Sequence, residues 1–219
     1  QGFEHGPARS FASNPPAYDP HYLYELALEA RLSAYAAPLG PIEAGSDTFV
    51  GELPLILKVN SANSLVKGSQ DQAITATVDD ALRLGCIGIG FTMYPGADAN
   101  YAMMEELREI TREAKSKGLA VIVWSYPRGG KVTDETAFDI VAYAAHMAAL
   151  MGANIIKVKP PKDMLDLAEA KKVYEEQGVD GSTLTKRIEH IMQVAFNGRR
   201  LVVFSGGDST STGSFLDTV

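Results

Sequence analysis

Cysteine and long apolar runs are what this chain conspicuously lacks. Cys86 is the one cysteine among 219 residues, which excludes an internal disulfide and fits a reducing compartment. No apolar stretch approaches the ~20 residues needed to span a bilayer. The first residues also lack the apolar core of a secretory signal peptide. We therefore expect a cytoplasmic protein with no membrane partner.

An excess of positive charge is also missing. Lysine and arginine number 20 against 27 aspartates and glutamates, which gives a net charge of -7. An acidic surface disfavours nucleic acid as a partner. A local group of lysines and arginines can still bind a phosphorylated small molecule. The hydrophobic content of 46% is enough for one sizeable core.

Motifs that hold metals or nucleotides are absent. No pair among the four histidines has the spacing of metal ligands. No GxGxxG follows the first strand, and GxSxG does not occur. The sequence therefore predicts an activity without a metal or other cofactor, and it disfavours dinucleotide-binding and hydrolase functions.

What the sequence does contain is a regular alternation of two patterns. Short Val- and Ile-rich runs predict strands covered on both faces, at Ala34–Pro38, Leu53–Asn60, Cys86–Tyr94, Ala120–Tyr126, Asn154–Lys159 and Leu201–Ser205. Stretches of helical spacing lie between them, at Pro20–Ser33, Gln72–Leu84, Asn100–Lys117, Thr133–Leu150, Met164–Glu176 and Leu184–Ala195. This order predicts an α/β protein with a parallel sheet.

Polar side chains recur two residues apart at the carboxyl ends of the predicted strands. Residues i and i+2 of a strand point to the same face, so several strands aim functional groups into one space, as in a barrel. The residues are Lys58, Asn60, Trp124, Tyr126, Arg128, Lys157 and Lys159. We expect a (β/α)8 TIM barrel over residues 1–219 as a single domain, lacking its first strand and its eighth βα unit.

Lys157 and Lys159 are the leading candidates for chemistry. Ile156 and Val158 alternate with them, so the lysines face the interior if the apolar pair faces the helices. A buried lysine has a lowered pKa, and a neutral amine can form a Schiff base. Lys159, as a second cation, is expected to lower the pKa of Lys157 further. The pattern alone equally allows both lysines to reach solvent.

Trp124, Tyr126 and Arg128 follow the preceding predicted strand. Tyr126 can serve as an acid or base if a nearby cation lowers its pKa, and Trp124 can form an apolar wall. Arg128 can bind phosphate. The alternatives are an aromatic layer of the core and an ordinary surface arginine.

Two further segments are candidates for phosphate binding. Ser205, Gly206 and Gly207 follow the last predicted strand, where barrels often bind phosphate through backbone N–H groups. His5 lies in the loop after a presumed first strand and can bind a substrate hydroxyl or phosphate. An ordinary turn and an ordinary loop histidine are the alternatives.

Five segments together resemble the archaeal-type class I fructose-bisphosphate aldolases, a family also found in bacteria. They are QGFEHGP at the start, Tyr94-Pro-Gly, Trp124-Ser-Tyr-Pro-Arg-Gly-Gly, Ile155-Ile-Lys-Val-Lys and Ser205-Gly-Gly. The similarity runs in order over nearly the whole chain. The resemblance implies a lyase of glycolysis and gluconeogenesis, acting on a sugar phosphate and assembled as a homo-oligomer.

The resemblance also implies residue roles. Lys157 matches the Schiff-base lysine, Tyr126 the general acid/base, Trp124 a wall of the site, and Ser205 to Gly207 the phosphate loop. The segment 162–181 departs from the shorter loop of some relatives. Two alternatives stay open: a transaldolase-like or acyl-transferring enzyme with the same lysine, and a non-catalytic sugar-phosphate-binding barrel.

Overall fold

The structure, a computed structural model, describes residues 11–63, 65–68 and 70–205. Its helices are α1 (Pro20–Glu29), α2 (Leu39–Phe49), α3 (Val78–Arg83), α4 (Asn100–Ser116), α5 (Phe138–Leu150), α6 (Ala168–Gln177) and α7 (Leu184–Val194). Its strands are β1 (Tyr35–Ala37), β2 (Leu55–Lys58), β3 (Asn60–Ser61), β4 (Ala73–Ile74), β5 (Gly88–Met93), β6 (Ala120–Ser125), β7 (Ile155–Val158) and β8 (Leu201–Phe204). A short 3-10 turn at Pro15–Tyr18 precedes α1.

One compact unit comprises the residues up to Thr92 together with Glu106–Val121. Within it, β1 runs parallel to β2 and β2 runs parallel to β5. All six residues of β5 are buried, as expected of a strand covered on both faces. The two-residue strands β3 and β4 pair antiparallel beside them.

Helix α2 of this unit was not predicted, because Gly40, Pro41 and Gly45 give it a poor intrinsic helix propensity. Its packing against α1 explains why it forms. A Cβ at Gly45 would lie 2.5 Å from the Tyr24 ring, so glycine is what lets the two helices approach. The Tyr24 hydroxyl then donates to the carbonyls of Pro41 and Ile42 at 3.1 and 3.2 Å.

The second compact unit comprises Met93–Glu105 and the residues from Ile122 onward. Here β6, β7 and β8 are parallel neighbours, with Ile122 opposite Ile155 and Ile155 opposite Leu201. Helix α5 packs on β7 and α7 through alanines that are almost completely buried, including Ala144, Ala145 and Ala148. These parallel strands, alternating with helices, confirm the predicted α/β class.

The predicted helix over Thr133–Leu150 is shorter than expected. Helix α5 begins only at Phe138, after an N-cap residue, Ala137, that makes no side-chain cap. The threonines and acidic residues at the predicted start belong instead to a loop, whose hydrogen bonds are described below. Among the described residues, no helix has the length and apolar character needed to cross a membrane.

Candidate active site

Trp124 and Lys157 face each other in register across the parallel strands β6 and β7. Lys157 is also in register with Val203 of β8. Register partners in a parallel sheet project from the same face, so these three side chains share one side of the strand ends. The Ser205 backbone N–H donates to the Val158 carbonyl at 2.9 Å, which extends the pairing one residue past β8.

Lys157 is partly buried, while its strand neighbours Ile156 and Val158 are completely buried on the opposite face. Burial lowers the pKa of the Lys157 amine from its usual range because an ammonium loses hydration there. The sequence argument had assigned part of this effect to Lys159. In the structure burial is the cause, and Lys159 is engaged by a carboxylate.

Tyr126 lies just past the end of β6, and its backbone N–H donates to the Met93 carbonyl at 3.1 Å. Burial raises the pKa of its hydroxyl to about 12, and the nearby Arg128 charge offsets this only partly. The Arg128 cation does lower this pKa, as expected, but burial outweighs it. A phenol with a raised pKa stays protonated at neutral pH and can donate a proton.

Glu135 joins the two cations that follow these strands. Its carboxylate accepts from the Lys159 ammonium at 2.5 Å and from the Arg128 guanidinium at 3.2 Å. The side chains of all three residues are 28–38% exposed. Burial alone would raise the pKa of Glu135, but the Lys159 and Arg128 contacts outweigh it and the pKa is lowered. Glu135 is thus ionised. Its place between the two cations was not among the predictions from the sequence.

Arg128 is held on two further sides. Its guanidinium lies over the Tyr94 ring, 4.9 Å from the centroid, a cation–π distance. Its backbone N–H donates to the Pro95 carbonyl at 2.9 Å. The two loops approach closely here, because a Cβ at Gly130 would lie 2.7 Å from the Gly96 carbonyl oxygen. Both glycines have positive φ, so side chains are disfavoured for space and for backbone conformation.

The carboxylates of Asp134 and Asp166 hold the loop that carries Glu135. Asp166 accepts the backbone N–H of Thr133 at 2.8 Å and also its hydroxyl. Asp134 accepts the Thr136 backbone N–H at 2.8 Å and the Lys162 ammonium at 2.9 Å. The loops after β6 and β7 are therefore joined to one another.

Two more residues anchor the segment 162–181, whose role was open. The buried Asp139 accepts the backbone N–H groups of Asp166 and Leu167, both at 2.9 Å. The buried Arg187 donates to the carbonyls of Pro161 and Gly181 at 3.2 and 2.6 Å. Both ends of the segment are thus tied to helices α5 and α7.

The other predicted residues fall into two groups. Lys58 and Asn60 lie in the first unit, where Lys58 donates to Asn60 and Gln72. The Asn60 side chain donates to the Thr92 carbonyl and accepts its N–H, both at 2.8 Å. His5, Gly206 and Gly207 lie outside the described residues.

A partly buried amine in register with an indole near the carboxyl ends of parallel strands, with a protonated phenol one residue past the neighbouring strand, is typical of enzymes that form a Schiff base with carbonyl compounds. Comparison with known proteins agrees with this class. The profile of the DeoC/LacD family aldolases matches residues 1–219. The chain belongs to this aldolase family.

Individual relatives are more specific. The chain is 42% identical over 194 residues to a class 1 fructose-bisphosphate aldolase of Thermoproteus tenax, covering 88% of this chain and 72% of that protein. It is 35% identical over 218 residues to the Halobacterium salinarum protein of the same name, covering 100% of this chain and 74% of that one.

Solved structures show the same similarity. An archaeal fructose-1,6-bisphosphate aldolase, with its catalytic lysine covalently bound to a carbinolamine intermediate, superposes with a TM-score of 0.81. The identity is 35%, over 100% of this chain and 76% of that one. This likeness confirms the predicted barrel-type α/β fold.

Proposed function

We propose that this protein is a class I fructose-bisphosphate aldolase, which reversibly cleaves fructose 1,6-bisphosphate into dihydroxyacetone phosphate and glyceraldehyde 3-phosphate. One observation carries the proposal. The Lys157 amine is partly buried at the carboxyl end of β7, in register with Trp124. The similarity to the class 1 aldolases supports the choice of substrate.

Lys157 supplies the nucleophile in this proposal. Its neutral amine attacks the C2 ketone of the substrate to give a carbinolamine, which loses water to become an iminium. The iminium accepts the electron pair of the C3–C4 bond as that bond breaks. The C4 hydroxyl gives its proton to solvent water, glyceraldehyde 3-phosphate leaves, and an enamine stays bound to Lys157.

Tyr126 completes the cycle as general acid. The phenol is protonated across the neutral range because burial raises its pKa to about 12. It delivers a proton to C3 of the enamine, which restores the iminium. Water then hydrolyses the iminium, which frees dihydroxyacetone phosphate and the Lys157 amine, and the proton released in this step returns to the Tyr126 phenolate. Trp124 supplies the wall against which the sugar carbons lie.

The phosphates are assigned to the residues at the strand ends. Lys159 and Arg128 offer N–H donors that Glu135 does not exhaust, since an ammonium has three donors and a guanidinium five. Ser205, Gly206, Gly207 and His5 complete the proposed phosphate contacts. No metal or other cofactor is required by this mechanism.

Cellular context follows from the reaction and the family resemblance. Interconversion of six-carbon and three-carbon sugar phosphates belongs to glycolysis and gluconeogenesis. We assign the enzyme to the cytoplasm, as a homo-oligomer.

The experiment is a cleavage assay on two matched lysine variants. Lys157→Met should reduce turnover of fructose 1,6-bisphosphate by at least about a thousandfold, as loss of a covalent nucleophile does. Lys159→Met removes a lysine assigned to phosphate binding, so it should raise KM but keep a kcat far above that of Lys157→Met. Equal activity of Lys157→Met and the wild type would contradict the proposal. Faster cleavage of a different sugar phosphate would overturn the choice of substrate.

A further inference from the structure

Glu135 contacts the residues that lie two positions beyond each proposed catalytic group. Arg128 follows Tyr126 by two residues, and Lys159 follows Lys157 by two. The Glu135 carboxylate binds both cations, at 3.2 and 2.5 Å. It therefore ties the end of β6 to the end of β7 at the place where the proposed chemistry occurs.

The loop around Glu135 is built to hold this position. Thr133, two residues before Glu135, is bound by Asp166, and Thr136 is bound by Asp134. Asp134 forms its ion pair with Lys162, not with Lys159 or Arg128. Glu135 is accordingly the carboxylate whose ion pairs reach the cations beside Lys157 and Tyr126.

An unpaired Lys159 would interfere with a charge on Lys157. Two residues of strand separate them by about 6.6 Å along the backbone, and a partly buried site screens charges less than bulk water does. The same repulsion acts on an ammonium and on an iminium, because both place a positive charge on the Lys157 nitrogen.

We propose that Glu135 is a positioning residue, which holds Lys159 and Arg128 at the strand ends and cancels their charge next to Lys157. This inference rests on the proposed function for its effect on the iminium. Its effect on the free amine does not depend on turnover.

Four charged or titratable side chains follow the strands that carry Trp124 and Lys157, and the test must separate their effects. They are Tyr126 and Arg128 after β6, Lys159 after β7, and Glu135, the anion of the four, from the loop before α5. Replacing Glu135 by glutamine keeps the shape and one acceptor oxygen and removes the charge.

The experiment is competitive labelling of the Lys157 amine with trace acetic anhydride across a pH series, read by peptide mass spectrometry. It reports the pKa of the amine whether or not the protein turns over any substrate. We expect Glu135→Gln to lower this pKa by about half a unit to one unit, the size of a partly screened charge at this range. Adding Lys159→Met to Glu135→Gln should restore most of the shift.

Two controls separate charge from structure. Thr136→Ala removes a hydroxyl bond to Asp134 beside Glu135 without changing any charge, and should leave the Lys157 pKa unchanged. Glu189→Gln removes the carboxylate of a surface pair with Lys186 at 3.0 Å, and should also have no effect. An unchanged pKa in Glu135→Gln, or an equal drop in Thr136→Ala, would overturn the inference.

Turnover gives a second readout that distinguishes the two proposals. If the wild type cleaves the bisphosphate, Glu135→Gln should lower kcat about three- to tenfold, because the iminium is no longer shielded from Lys159. If the wild type cleaves no sugar phosphate, the proposed function fails, and the labelling experiment still decides the role of Glu135.

Discussion

Trp124 of β6 stands directly opposite Lys157 of β7 in the parallel register, so an indole and a partly buried amine share one side of two adjacent strands. Tyr126 follows Trp124 by two residues and Lys159 follows Lys157 by two. Strand register therefore places the indole and the amine, while Tyr126 and Lys159 each follow one residue past the end of these strands.

The first prediction concerns Tyr126. Tyr126→Phe should reduce kcat by about a hundredfold to ten-thousandfold, the usual contribution of a general acid. The KM should change little, because the hydroxyl is assigned to proton delivery. Steady-state assays test this. Tyr143→Phe, at an exposed tyrosine of α5, is the matched control, and an equal loss in both variants would contradict the role.

The second prediction concerns the stability cost of Lys157. Burial lowers the folded-state pKa of Lys157, so the unfolded chain binds this proton more tightly. This cost to the free energy of unfolding is fully present when the pH is below the folded-state pKa of Lys157. It diminishes as the pH rises toward the pKa that Lys157 has in the unfolded chain. Lys157→Met should therefore raise the melting temperature at neutral pH by about 1–3 °C.

Calorimetry of the same variant at several pH values tests the direction of this pH dependence. The increase in melting temperature caused by Lys157→Met should be largest at neutral pH and smaller in alkaline solution. Lys159→Met, which breaks the ion pair with Glu135, should not stabilise the protein. A lower melting temperature for Lys157→Met at neutral pH would contradict a buried, costly amine.

The third prediction concerns acid stability of the loop that carries Glu135. Hydrogen bonds from Thr136 and the Lys162 ammonium lower the pKa of Asp134 to about 2, against 3.8 in its ordinary state. A carboxyl group whose pKa is lowered by folding stabilises the protein when the pH is above its unfolded-state pKa. That stabilisation is lost as the pH falls through its folded-state pKa. This contribution should thus disappear between pH about 4 and pH about 2.

Urea unfolding at pH 5 and pH 3 measures this contribution. Asp134→Asn should be less stable than the wild type at pH 5, and the difference should narrow at pH 3. Asp166, whose pKa is also lowered by bonds from Thr133, should behave in the same direction. If Asp134→Asn and the wild type differed more in unfolding free energy at pH 3 than at pH 5, the assigned direction of the Asp134 pKa shift would be wrong.

The fourth prediction concerns the segment 162–181. Arg187→Met keeps the buried stem but removes the donors to the Pro161 and Gly181 carbonyls. The buried Pro161 carbonyl and the part-buried Gly181 carbonyl then lose their partner, at a cost of about 1–3 kcal/mol. Limited proteolysis should cut residues 162–181 faster in this variant. Arg199→Met is the control, and equal cleavage rates would show that Arg187 does not anchor the segment.

The placement of Lys157 and Trp124 on one face of the sheet could be predicted because strand periodicity depends only on local sequence. A run such as Ile-Ile-Lys-Val-Lys fixes which side chains share a face before any contact is known. The same reasoning could not give the electrostatics. Lys159 was expected to lower the pKa of Lys157 beyond the effect of burial, but burial is the cause that the structure shows, and Lys159 is paired with Glu135.

Glu135 was missed for a related reason. Thr133-Asp-Glu-Thr contains the residue types of a helix N-terminus, and those oxygens serve equally well to bind a neighbouring loop. The actual partners are distant in sequence, with Asp166 lying 33 residues from Thr133. Such long-range pairing leaves no periodic signal, and neither does the packing of Tyr24 over Gly45 that stabilises α2.

Borohydride trapping followed by peptide mapping tests the central claim most directly. The protein is incubated with fructose 1,6-bisphosphate, reduced, and digested with trypsin. We predict a reduced adduct on Lys157, which blocks cleavage there and yields a labelled peptide of residues 132–162, because Pro160 also protects the bond after Lys159. A label on any other lysine, or no label at all, would contradict the account.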